Sequence, residues 1–240
     1  MVSSDAGVYP AELILPYRVV LLDDPYNQPD EGCFMQFRLT YEGLLLATQR
    51  DPENGQRDKR ADHKHDIRQA FHGQLKRLWE IVPHLREGGG SGPSALVMGE
   101  TPLARDVTSV SERHNLYGWN FVPLVTQELN LLCGLDILFL RPDRPGVVLR
   151  SGDIDNRLKT LFDALRIPEA NESYHARGHG PDEQPFFCLL EDDKLITKVS
   201  VETDQLLQFV TPRRDMNEVR LVITVTIRPY ELHLENMQFG

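Results

Sequence analysis

Apolar residues recur along the chain with two different periods, which predict strands and helices. Alternation of apolar and polar residues, and shorter runs that are apolar throughout, predict strands. These predicted strands cover 34–41, 119–125, 130–140, 195–203 and 219–228. Spacings of three and four between apolar residues predict amphipathic helices over 63–85 and 155–166.

The order of these elements indicates the fold class. Strands outnumber helices and the helices lie between them, which predicts an α+β protein with a mixed sheet and flanking helices. Residues 1–32 are rich in Pro, Asp and Ser and are interpreted as an N-terminal extension with one short apolar run. Residues 33–240 then form one domain, a length that can bury a core without metal or disulfides.

Charge and cysteine usage narrow the classes of function. The net charge of −10, from 26 Lys+Arg against 36 Asp+Glu, argues against indiscriminate binding to nucleic acid or an anionic membrane. It leaves room for a local basic patch. Cys33, Cys133 and Cys188 form neither a zinc pattern nor a disulfide framework. With no signal-peptide pattern and no apolar run of spanning length, we expect a cytoplasmic protein without a membrane partner.

One acidic cluster stands where an extended chain enters the second predicted helix. Asp153 and Asp155 are two residues apart, so in an extended segment they share a face and can converge on one cation. Mg²⁺ prefers one or two carboxylates with waters and phosphate oxygens. Lys159 and Asp163 continue the polar stripe at i+4 and i+8. The alternative is structural: a capping aspartate and an ordinary ion pair between Asp155 and Lys159.

A second acidic cluster, Glu191-Asp192-Asp193, follows the apolar run Phe186–Leu190 and precedes a predicted strand. Three adjacent carboxylates repel one another unless they are solvated or bound to a cation. A solvated turn explains this cluster taken alone. Two such clusters, one at a helix start and one at a strand start, favour a shared metal site.

The two clusters together resemble a known family. The sequence of Asp153–Leu165, followed by that of Leu190–Val199, is similar to the RusA family of Holliday-junction resolvases. That family carries a D-x-D-N-x-x-K-x-x-x-D-A-L stretch and then an acidic pair that opens a strand. The resemblance covers about a third of the chain. Relative to the family, loops 86–117 and 167–187 are enlarged.

The resemblance implies a RusA-like fold and a homodimeric, Mg²⁺-dependent endonuclease that resolves four-way DNA junctions. Asp153, Asp155 and Asp193 correspond to the family's metal-binding catalytic carboxylates, and Lys159 to its catalytic lysine. Asn156 and Asp163 match motif positions with supporting roles.

Basic residues concentrate before and within the first predicted helix. Residues 49–77 carry eight Lys and Arg against five Asp and Glu inside an acidic chain. The residues expected to contact DNA are Arg57, Lys59, Arg60 and Lys64. A solvated face of mixed charge explains the segment equally well. His63 and His65 as a metal pair, and His175, Arg177 and His179 as DNA contacts, are further alternatives.

Two other functions stay open at this stage. Besides a junction endonuclease, the second possibility is a catalytically silent RusA-like protein that binds a protein or nucleic-acid partner. A metal-dependent phosphohydrolase acting on a small nucleotide is the third possibility. An enclosed pocket formed by residues 167–187 would favour it, and a large basic footprint would disfavour it.

Overall fold

The fold is taken from a computed structural model of the chain. The structure describes 18–19, 35–47, 56–86, 106–142, 153–169, 172, 178–208, 215–233, 236 and 239. The strands are β1 (Arg18–Val19), β2 (Met35–Leu44), β3 (Asn115–Leu116), β4 (Trp119–Val125), β5 (Leu131–Arg141), β6 (Phe186–Leu190), β7 (Ile196–Gln205) and β8 (Glu218–Pro229). The helices are α1 (Gln56–Ile81), α2 (Pro83–Arg86), α3 (Val107–Arg113) and α4 (Asp153–Leu165), with a 3-10 helix at Asp193–Leu195.

The main sheet has five strands in the order β1-β2-β8-β5-β7. Strand β8 pairs antiparallel with β2 on one side and with β5 on the other. Strand β7 pairs parallel with β5, so the sheet is mixed and β7 forms its edge. Residues on β5 and β8 alternate between buried and partly exposed, as expected for a sheet with one covered face.

A second sheet of three strands has the order β3-β4-β6, with β4 and β6 parallel. The run Phe186–Leu190, which was not predicted as a strand, forms β6 and is buried at every position. A strand covered on both faces carries no alternation, so the period of two could not identify it, whereas its continuous apolar run was a signal that could have.

Helices α1 and α4 pack together and share one core with the main sheet. The apolar face predicted for α1 is buried, with the exception of the exposed Ala70. The helix begins at Gln56, and the prediction of a helix starting at His63 was therefore too short at its amino end.

The α+β class is confirmed, together with all five predicted strands and both predicted helices. The division into an extension and one domain stays a prediction, and of residues 1–32 the structure describes only β1, paired with β2. Helix α3 and strand β3 lie within 86–117, where no element was predicted. None of the helices in the described ranges is long and apolar enough to cross a membrane.

Candidate functional site

Helix α4 presents three of the motif residues on its exposed face. Asp153 is its first residue, and the side chains of Asp155, Asn156 and Lys159 are exposed on its first turns. No ion pair joins Asp155 to Lys159 in the described part of α4. The alternative of an i,i+4 ion pair therefore does not account for these two residues.

The opposite face of α4 is fixed to two other segments by side-chain hydrogen bonds. The Arg157 guanidinium is buried and donates to Oδ1 of Asn217, beside the start of β8, over 3.2 Å. The Thr160 hydroxyl lies 3.0 Å from the Leu46 carbonyl oxygen, just beyond β2. Since segments next to two neighbouring strands of the main sheet hold the helix, its exposed residues stand on a rigid support.

The last motif aspartate lies inside the protein. Asp163 is buried, and its Oδ2 is 2.7 Å from Nζ of Lys64 on α1. Its Oδ1 is 3.4 Å from the guanidinium of Arg166. Asp163 therefore joins α4 to α1, while the supporting role that the RusA resemblance implies for it stays a prediction.

A network of buried charges continues from Asp163. Arg68, only 1% exposed, donates to the Asp163 carbonyl oxygen and pairs with Glu172 at 2.7 Å. Glu172 also lies within 4 Å of Lys64 and Arg166. Sequence analysis missed this network because its members are up to about a hundred residues apart and no local pattern connects them.

The three acids of the second cluster have different surroundings. Glu191 accepts a hydrogen bond from the Gln127 backbone N–H over 2.8 Å. Asp192 caps the 3-10 helix by accepting from the Lys194 N–H, which holds the pKa of its carboxyl below the usual range. Asp193 is exposed at the first position of that helix. The cluster is thus more than a solvated turn, since two of its carboxylates support the backbone.

The two acidic clusters are carried by elements that touch. Helix α4 contacts both β6 and the 3-10 helix of Asp193. Within the described part of the chain, no three His, Cys, Asp or Glu side chains are arranged to hold a metal ion. The side chain of Asp153 lies outside the described residues, and for that reason the three-carboxylate site of Asp153, Asp155 and Asp193 stays a prediction. Exposed carboxylate oxygens do match the ligand chemistry of Mg²⁺.

The predicted DNA-binding residues all belong to the first turns of α1. The side chains of Arg57, Lys59 and Arg60 lie outside the described residues. Lys64 is largely buried and is occupied by Asp163 and Glu172. A lysine held in this way has little freedom to reach a phosphate, and the DNA contacts expected of the other three residues stay a prediction.

The histidines of α1 serve the packing of α1 against its neighbours. His63 Nε2 accepts the Leu46 N–H over 3.1 Å, which removes that nitrogen as a metal ligand. His65 is buried between the rings of Trp119 and Phe186. The metal pair His63 and His65 is therefore not supported by the geometry. His175 and Arg177 lie outside the described residues, while the exposed His179 packs edge-on against Trp119.

His72 holds the segment before β6 against α1. Its Nδ1 accepts the Phe187 N–H over 2.9 Å, and its Nε2 lies 3.0 Å from the Asp182 carbonyl oxygen. These contacts require a neutral ring with the proton on Nε2. Burial lowers the pKa of His72, which favours that neutral form.

A small pocket and two thiols lie away from this region. The pocket is lined by Trp79, Val110, Leu124 and Phe239 among others, and none of its lining residues is a candidate site residue. Cys133 and Cys188 are buried and reduced, and burial raises the pKa of each thiol to about 12. Neither thiol is suited to act as a nucleophile at neutral pH.

Comparison of the chain with protein-family models, curated proteins and solved structures returned no match.

Proposed function

We propose that the chain is a RusA-like, Mg²⁺-dependent endonuclease that resolves branched DNA. The observation that carries the proposal is that some residues of α4 anchor the helix while others are left exposed on it. Arg157, Thr160 and Asp163 fix helix α4 in place, whereas Asp155 and Lys159 are left exposed on it. Likewise, Glu191 and Asp192 hold the backbone, and Asp193 is exposed on an element that contacts α4.

In this proposal the residues have separate roles in phosphodiester hydrolysis. Asp153, Asp155 and Asp193 would hold Mg²⁺, which when bound acts as a Lewis acid on the phosphate and lowers the pKa of a water. Lys159 lies one turn beyond Asp155 and would stabilise the negative charge that grows on the phosphate and the leaving oxygen. The anchored helix keeps this lysine and Asp155 in a fixed relation.

A cleavage assay tests the proposal. Four-way junctions, linear duplex and single strands are incubated with the protein in Mg²⁺ and in EDTA. We expect Mg²⁺-dependent cutting of the junction, which is lost in Asp155→Asn and in Lys159→Met. Glu112→Gln, an exposed change on α3 that also removes one negative charge, is the matched control and retains activity.

Each other outcome has a distinct meaning. A junction that is bound but never cut assigns the chain to the silent binding proteins. Hydrolysis of small nucleotides without cutting of DNA assigns it to the phosphohydrolases, although the described pocket includes no residue of 167–187. Cleavage that survives Asp155→Asn overturns the assignment of the site.

A junction resolvase cuts two strands of like polarity that are related by a two-fold axis. Because one chain carries one pair of acidic clusters, the proposal includes a homodimer whose two sites open on one face.

A further inference from the structure

Strand β7 differs from the other long strands of the main sheet. It pairs with β5 along one edge, and its other edge is unpaired among the strands that the structure describes. Most of its side chains are exposed on both faces, and Val199 is 44% exposed. At the other end of the sheet, β2 is already paired with β1. An exposed edge strand of ten residues is a template for pairing with another chain.

The sheet register identifies which side chains of β7 share a face. Val199 and Val201 lie beside Leu135 and Ile137 of β5, both of which are buried in the core. Lys198 and Ser200 lie beside Gly134 and Asp136 on the opposite face. The strand therefore carries an apolar pair on its core face and polar residues on the other.

The sequence of β7 is self-complementary about Ser200. If two copies pair antiparallel with their Ser200 residues opposite each other, Val199 faces Val201 of the second copy. In the same register Lys198 faces Glu202 and Thr197 faces Thr203. Each pair occurs twice across the two-fold axis. Opposite charges and β-branched residues at directly facing positions are favourable cross-strand pairs.

We propose that β7 is a dimerisation edge that binds β7 of a second copy of this chain, antiparallel and centred on Ser200. A shift by one residue places Val199 opposite Glu202 and turns the core face of one sheet toward the outer face of the other. The facing charges of Lys198 and Glu202 therefore favour a second copy of β7 in this one register.

This pairing would bring two candidate sites into one assembly. The two-fold axis stands perpendicular to the continuous sheet, and both copies of α4 then lie on the same face. Since β7 begins directly after the 3-10 helix of Asp193, the two acidic clusters fall at opposite ends of the paired strands. The pairing would explain how the proposed nuclease forms a dimer, but it is argued from the edge strand alone. Dimerisation and cleavage are therefore tested by different measurements.

Charge reversal and sedimentation test the pairing without reference to cleavage. The wild-type chain is expected to be a dimer at micromolar concentration. Glu202→Lys sets two lysines opposite each other at both symmetry-related positions, and should raise the dimer dissociation constant roughly 10- to 100-fold. Lys198→Glu should do the same, although it also breaks the 3.1 Å ion pair between Lys198 and Asp136. Glu112→Lys, with the same charge change as Glu202→Lys, is the control and should stay dimeric.

Mixing the two variants separates the proposed register from general loss of stability. In a mixed dimer, the carboxylate introduced by Lys198→Glu in one copy faces the ammonium introduced by Glu202→Lys in the other. At the symmetry-related position, the unchanged Glu202 of the first copy faces the unchanged Lys198 of the second. We expect dimers to return when the two weakened variants are combined. Circular dichroism of each variant checks that it is folded.

Three results would overturn the pairing: a wild-type chain that is monomeric at micromolar concentration, a dimer unaffected by Glu202→Lys, or a mixture of folded variants that fails to restore the dimer. Cleavage lost in Asp155→Asn with dimerisation intact would leave this inference standing. Dimerisation lost with metal-dependent nicking retained would leave the proposed nuclease site standing.

Discussion

The two halves of α4 carry the same types of residue in opposite surroundings. Near the amino end, Asp155 and Lys159 are exposed. One turn further along the same polar stripe, Asp163 is buried and paired with Lys64 of α1. A stripe of residues at i, i+4 and i+8 is uniform in sequence, and only packing against α1 divides it into an exposed part and an anchored part.

This difference separates stability from chemistry within one helix. A buried carboxylate that balances two cations is costly to remove, because Lys64 and Arg166 then share only Glu172 as a buried counter-charge. An exposed carboxylate contributes little to folding and is free to take a ligand. Variants that change only the stability or only the cleavage activity test this separation.

The largest effect on folding is expected at the buried end. Asp163→Asn leaves the side-chain volume almost unchanged but takes the charge away from Lys64 and Arg166. Because Glu172 still lies 3.7 Å from Lys64 and 3.9 Å from Arg166, we expect the free energy of unfolding to fall by about 1.5–3 kcal/mol, as for hydrogen bonds to charged groups. Urea denaturation measures it.

A matched control lies at the rim of the same network. Glu169 pairs with Arg166 at 2.8 Å but is 56% exposed, so Glu169→Gln should cost at most about 1 kcal/mol. Equal losses in Asp163→Asn and Glu169→Gln would contradict the division between buried and exposed halves.

The largest effect on chemistry is expected at the exposed end. Asp155→Asn should lower the rate of junction cleavage by at least about a hundred-fold, since it removes a proposed metal ligand. The free energy of unfolding should change by no more than about 0.5 kcal/mol, as at other exposed positions. Single-turnover cleavage and urea denaturation of the same preparation give both values. A variant that loses stability and activity together would place Asp155 with the anchoring residues instead.

Acidification should lower the stability of the folded chain through His72 of α1. The pKa of His72 in the folded chain is lowered by burial below its ordinary value of 6.5. The unfolded chain therefore binds a proton that the folded chain does not, and the stability that the neutral ring contributes is present above pH 6.5 and lost as the pH falls below it. The groups near the ring are Lys76, Asp182 and Glu183, of which Lys76 also disfavours protonation.

The free energy of unfolding is measured in the wild type and in His72→Gln from pH 7.5 down to pH 5.5, limits that lie about one unit from the ordinary histidine pKa. This measurement checks the direction of the pH dependence. The variant should lose less stability on acidification. The pKa of His63 is lowered in the same direction, so part of the dependence should remain in His72→Gln. An identical pH dependence in both proteins would exclude His72 as its source.

The smallest effect is expected at the middle of the helix. Thr160→Val keeps the shape of the side chain but removes the hydroxyl that donates to the Leu46 carbonyl oxygen. Loss of one such hydrogen bond should cost about 1 kcal/mol of unfolding free energy. Thermal melting followed by circular dichroism measures it. No change in the melting temperature would show that this hydroxyl does not help to hold α4, for instance because it donates to the Asn156 carbonyl oxygen 3.1 Å away in the same helix.

Much of the fold could be predicted because it depends on local periodicity. The alternation over 219–228 predicts β8, and the three-four spacing over 155–166 predicts α4 to within two residues at its start. Strand β6 was missed because burial on both faces removes the period of two. The first helix was predicted to start seven residues late, because Gln56–Asp62 is polar and carries no apolar stripe, and it ends at Ile81, four residues before the predicted end.

The candidate site was predictable in its residue types and only partly in its geometry. The RusA resemblance implies that Asp155, Lys159 and Asp193 belong to one site, and all three are exposed. Spacing could not distinguish Asp193 from Glu191 and Asp192, whose hydrogen bonds to the backbone appear only in the folded chain. Lys64 illustrates the reverse case, since it was expected to contact DNA and is paired with Asp163.

The sequence alone determined the α+β class and the positions of the long strands and of α4, because each of these follows from neighbours within a few positions. The candidate metal ligands follow from the RusA resemblance and stay a prediction. Tertiary structure decided which members of a uniform polar stripe face solvent and which of three adjacent acids is exposed. It also decided that β7 stands at an edge of the main sheet, with no partner on its outer side among the described strands. These properties depend on contacts between segments such as α1 and α4, about a hundred residues apart, and no local pattern encodes which segments will meet.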